Sequence, residues 1–128
     1  MRRHGFTLIE LLVVVVVIGI LAALAVPKFG NTKAKANLAA MKSDLHNLIA
    51  AEESYYYDHS VYSSSLSALN FTPSQGVQIT SLTAEAGGKG WSAVAEHPLA
   101  AQMMCAVFVG TAAPPNGAAV SEGIIGCQ

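Results

Sequence analysis

Residues 6–26 form an almost unbroken apolar run whose only polar members are Thr7 and Glu10, and this run limits the possible folds more than any other feature. As a helix rising ~1.5 Å per residue it spans about 30 Å, the hydrocarbon thickness of a bilayer. The chain is 52% apolar and only 12% charged, so part of it belongs in lipid or against other subunits. Arg2 and Arg3 precede the run; Lys28, Lys33 and Lys35 follow it. The positive-inside tendency keeps the arginine pair cytoplasmic, but the lysines oppose that orientation, and charge alone leaves the topology open. The run admits a plain membrane anchor. It also admits a secretory signal peptide cut after Ala25, in Ala23-Leu24-Ala25, which would release a small secreted binding domain. Glu10 suits neither. A carboxylate in an apolar span costs ~2.5–3.5 kcal/mol at mid-helix, less near an end, and calls for a compensating partner unless it snorkels to the surface.

The string Gly5-Phe6-Thr7-Leu8-Ile9-Glu10-Leu11-Leu12-Val13, behind a short basic leader, resembles the N-terminal processing signal of type IV pilins and pseudopilins. The resemblance implies a leader of residues 1–5, cleavage between Gly5 and Phe6 by a membrane peptidase, and N-methylation of Phe6 by the same enzyme. It also implies that Glu10 serves filament assembly by meeting the positive amine of Phe6 on a neighbouring subunit, since a buried carboxylate without a cation is costly. Pro27 matches the family's helix-distorting proline. The helix is expected to weaken at Gly19 and to be bent or partly melted between residues 19 and 30, and the resemblance implies flexibility of that stretch in an assembled fibre.

Beyond Pro27 the pattern turns amphipathic. Leu38, Met41, Leu45, Leu48, Ile49, Tyr55 and Tyr56 recur at three- and four-residue spacing, and intervening alanines favour helix. A helix is expected from about residue 6 to 57, its halves divided near residue 29: a transmembrane or filament-core half at 6–29 and an amphipathic half at 30–57. Residues 58–76, rich in Ser, Asn, Pro and Gly, read as an irregular connection with a helical turn near Leu66 and Leu69. Three strands are expected around Val77, Ile79 and Leu82, over residues 90–97, and over residues 104–109, with a glycine-rich turn at 86–90 joining the first two. So small a sheet cannot stand alone, and the amphipathic helix supplies its core. The expected class is α+β, with residues 58–128 as a globular head.

Cys105 and Cys127 are the only cysteines. In an exported domain they read as one disulfide, and the resemblance implies the same bridge, closing the loop-like segment after Gly110. It inclines the reading toward a pilus subunit, because many secretion pseudopilins lack it.

A catalytic constellation is missing from the pattern. The serines at 60, 63, 64, 65 and 67 lie in a low-complexity loop with no nucleophile elbow. His59 and His97, with Asp58 or Glu96, could in principle hold a metal, but solvated or packed side chains are the expectation, and no metal or cofactor is expected. The glycines at 87, 88 and 90 lie between strands, away from any helix start where phosphate would bind. Past Lys42 the only Lys or Arg is Lys89, set against seven acidic residues, so no specific nucleic acid is expected. The stem lysines could instead meet Asp44, Glu52 or Glu53 of adjacent subunits. The partners implied are copies of the chain itself in a helical homopolymer, the prepilin peptidase and methylase, the inner membrane before assembly, and the pilus assembly machinery. The location implied is the inner membrane for the precursor and an extracellular filament for the mature form. A type II secretion pseudopilin is the alternative within the family.

Overall fold

The computed structural model describes residue 1 and residues 5–100, 103–115, 117–119 and 121–128, the side chain at position 28 excepted. Arg2, Arg3 and His4, the body of the expected leader, lie outside the described residues. One helix, α1 (Leu8–His59), is followed by β1 (Gln78–Ala84), β2 (Gly90–Glu96), β3 (Met104–Gly110) and β4 (Gly126–Cys127). The strands form one antiparallel sheet in the order β1-β2-β3-β4. The architecture is α+β, as expected.

The helix begins two residues later than expected because Thr7 is its N-cap, and it ends two residues later. Ser60 stops it by taking a left-handed conformation (φ 59°), with its N–H donating to the Tyr56 carbonyl at 2.7 Å. Pro27 lies inside the helix, which is continuous across residues 19–30. The partial melting expected there is therefore absent from the single chain. Proline removes one N–H and crowds the turn before it, but long helical flanks on both sides keep the neighbouring residues helical.

The chain divides into two compact units, Met1–Lys33 and Ala34–Gln128. In the first, all described side chains of α1 are exposed, including Leu8, Ile9, Leu11, Leu12, Ile18 and Phe29. This part of α1 has the length and composition to cross a membrane.

In the second unit Met41, Leu45 and Leu48 are buried on one face of α1, with Leu38 and Ile49 half-buried beside them. Their spacing of four and three residues makes one stripe. They join a core built from three cross-strand rows: Ile79–Ala95–Cys105, Leu82–Ala93–Val107 and Ala84–Trp91–Val109. The separation of Ile79 and Leu82 by an odd number of residues would put them on opposite faces of a regular strand. A bulge between Ile79 and Ser81, where Thr80 has no partner, restores both to the inner face. On the outer face Val94 and Ala106 are covered by Ala118 and Ala119 from the C-terminal segment. Fully burying each large side chain of this core contributes ~1.5–3 kcal/mol.

Candidate functional site

The start of α1 is built by two polar residues. The Thr7 N–H and the Thr7 hydroxyl each donate to Oε2 of Glu10, both at 2.7 Å, while the Glu10 N–H donates back to Thr7 Oγ1 at 3.3 Å. This reciprocal pattern is a capping box, with Thr7 as N-cap and Glu10 as the third helical residue. The carboxylate lies beside the positive end of the helix dipole. The single chain thus gives Oε2 of Glu10 two donors within its own first turn. The sequence carried the signal for this in the spacing Thr7-x-x-Glu10, which a search for an intersubunit partner alone overlooks. Gly5, Phe6 and Thr7 are exposed and non-helical, so the Gly5–Phe6 bond lies in irregular, accessible chain. Phe6, Glu10 and the apolar face following them form one open surface.

Residues 1–26 match the prokaryotic N-terminal methylation motif. In its N-terminal segment the chain is similar to proteins named as type IV pilins and type II secretion core proteins. It is 40% identical over 75 residues to the type IV major pilin PilA of Myxococcus xanthus, across 59% of this chain and 34% of that one. The type II secretion system core protein G of Klebsiella pneumoniae is 44% identical over 61 residues, 48% of this chain and 44% of that protein. The type IV wide pilus major component PilA4 of Thermus thermophilus is 37% identical over 68 residues, 53% of this chain and 52% of its own. The chain spans about a third to a half of the length of these curated relatives.

Elsewhere the polar groups of this pilin-like chain serve its own fold. Asp44 is buried and clamps the loop: Ser74 donates its N–H to Oδ2 and its hydroxyl to Oδ1, each at 2.7 Å. Glu52 is buried and accepts the Ser63 N–H at 2.9 Å. Glu53 is exposed and accepts from the Tyr62 hydroxyl at 3.0 Å. The expected pairing of stem lysines with acids of an adjacent subunit is therefore corrected for Asp44 and Glu52, which are shut inside their own head; Glu53 keeps an open face. Both buried acids lie three and four residues after core positions Met41 and Leu48, the spacing that could have placed them inward.

Tyr55, Tyr56 and Tyr62 make ring contacts. Tyr56 stacks on Tyr62 at 4.5 Å between ring centroids, Tyr62 tilts toward buried Trp91 at 6.4 Å, and Tyr55 stacks on His59 at 4.0 Å. Burial and the bond to Glu53 push the Tyr62 hydroxyl up to about 12, so it stays a neutral donor. Tyr57 is exposed. His59 uses Nδ1 on the Tyr55 carbonyl, His97 uses Nδ1 to accept from the Leu99 N–H, and Glu96 accepts from Thr80. Among the described residues no three His, Cys, Asp or Glu side chains converge as a metal site. Cys105 and Cys127 are joined by a disulfide and face each other as partners across β3 and β4.

Proposed function

We propose that the chain is a structural subunit of an extracellular type IV pilus, assembled through its N-terminal helix after cleavage between Gly5 and Phe6. One observation carries this reading: a bilayer-length apolar helix, exposed all round, begins with a Thr7–Glu10 cap directly after an accessible Gly5–Phe6 bond. The apolar half waits in the inner membrane, then exchanges lipid for the helices of neighbouring copies. In lipid such association relies on packing and polar pairs rather than on the hydrophobic effect. Glu10 then trades its Thr7 donors, or shares them, with the methylated amine of Phe6 on the next subunit, which fixes axial register. Association of this kind is head-to-tail and does not close, so it yields an open helical polymer.

The likeness to type II secretion core protein G favours a second reading, a subunit of a short secretion pseudopilus. Deleting the gene separates the two. Loss of surface fibres with secretion intact supports the pilus; loss of secretion supports the pseudopilus.

The test common to both is the N-terminal residue and mass of the mature chain from sheared surface or membrane material. The expected chain begins at methylated Phe6. A chain beginning at Val26 would lack both Glu10 and the assembly helix, and the filament reading would fall.

A further inference from the structure

We propose that Glu52 is a proton-operated latch: as a neutral acid it holds the loop at residues 60–65 closed, and loss of its proton frees that loop and uncovers Trp91. The geometry points to this through what surrounds the carboxyl group. Glu52 is completely buried on α1. Oε2 takes the Ser63 N–H, while Oε1, equally buried, has no hydrogen-bond partner among the described residues. The charged and titratable groups acting on it are Glu53 on the same helix and Tyr62 from the loop, the first negative and the second a neutral phenol. Asp58 and His59, further along α1, are exposed, and His59 is turned to the Tyr55 carbonyl. Among the described residues no cation is one of the groups acting on Glu52.

An ionised carboxylate in this position is a buried, unpaired charge with a like charge beside it. Such a group either keeps its proton or leaves the interior. Burial is the largest cause lifting its pKa to about 7, with the Ser63 bond opposing and the Glu53 charge adding to it. The switch therefore falls near neutral pH. Leaving the interior breaks the Ser63 bond. Ser63 directly follows Tyr62, whose ring rests on Trp91 and stacks on Tyr56, so the freed segment carries the cover of Trp91 with it.

Trp91 is the only tryptophan and is completely buried, which makes it the reporter. The full-length chain in detergent micelles is titrated from about pH 5 to about pH 9 while Trp91 emission is followed. The expected result is a red shift that develops as pH rises between 4.5 and about 7. Glu52→Gln, which cannot ionise, abolishes the shift. Glu53→Gln keeps it but moves the midpoint to lower pH, because the neighbouring negative charge is gone. A wild-type emission that is flat across the range overturns the latch, as does an unchanged transition in Glu52→Gln. If Glu52→Gln does not fold, carboxyl-carbon NMR of Glu52 in the wild-type chain decides. A titration near neutral pH supports the latch, and one in the ordinary carboxylate range overturns it.

Discussion

Asp44 and Glu52 sit on the same face of α1 and meet opposite electrostatic circumstances. Asp44 has a donor on each oxygen, both from Ser74, so its burial is compensated. Asp44→Ala leaves the Ser74 N–H and hydroxyl without an acceptor, a loss of ~1.5–3 kcal/mol for hydrogen bonds to a charged group. Urea unfolding of the full chain in detergent should show that loss, and Asp44→Asn, which keeps one acceptor, should recover part of it. An Asp44→Ala chain as stable as wild type would mean that Ser74 is satisfied by solvent. Glu52 has one donor for two oxygens, and the sign of its pH effect follows. Its folded-state pKa is raised above the usual 4.5 to about 7, so the folded chain binds the proton more tightly than the unfolded one. The stability it contributes is full below the unfolded value, falls as pH rises between 4.5 and about 7, and is flat above. Neither role was legible beforehand. Periodicity marks which positions face inward, but the partners, Ser63 and Ser74, come from an irregular loop whose path no residue pattern encodes.

At the scale of elements, legibility followed the strength of the local pattern. The helix was visible in its apolar run and its three-four spacing, and three strands in their alternation. What was missed has local physical causes. β4 is two residues long, Gly126 and Cys127, with no alternation to detect. Gly126 is required there because a Cβ would collide with the Ala118 carbonyl oxygen. The bulge at Thr80 hid the true register of β1, since Ile79 and Leu82 do not alternate. The helix start was misplaced because Thr7 was read as a member of the apolar run, although it is the cap. Thr7→Val tests that cap: it keeps the shape and removes the hydroxyl that pairs with both the Glu10 carboxylate and the Glu10 N–H. Loss of such a side chain costs ~1 kcal/mol of helix stability. Amide exchange at residues 8–11 in micelles should speed up several-fold, about what that energy allows, while exchange at residues 41–48 stays unchanged. Equal exchange in both chains would mean that the backbone donors alone hold the first turn.

The whole molecule joins two solutions to the problem of apolar surface. The described side chains of residues 8–29 leave theirs exposed, whereas the unit Ala34–Gln128 closes its own core with few large side chains. Much of the cover on the outer face of the sheet is Ala118 and Ala119, small residues that contribute little burial each. The described residues of the segment carrying them, 111–125, contain no strand; within it the Gly123 N–H donates to the Phe108 carbonyl at 2.8 Å and Glu122 Oε1 accepts the Gly110 N–H at 2.7 Å. One end continues from β3; the other is fixed by β4, by the paired backbone bonds between Gln128 and Met104, and by the disulfide of Cys105 and Cys127. The cysteines are 22 residues apart, and the chain-entropy account assigns a bridge over such a loop about 3 kcal/mol. Each of the hydrogen bonds contributes less, roughly 1 kcal/mol, so the bridge is the largest single tie in the closure. Replacing both cysteines by serine should therefore open residues 111–125 to proteases and leave the α1–sheet core folded. Limited proteolysis followed by mass analysis should find cuts inside 111–125 in the Cys105→Ser/Cys127→Ser chain and none there in the oxidised wild type. Equal resistance in the two chains would assign closure to the packing of Ala118 and Ala119 and to β4. Cuts throughout the head would instead mean that the bridge holds the whole sheet, and that the core on α1 is too small to persist without it.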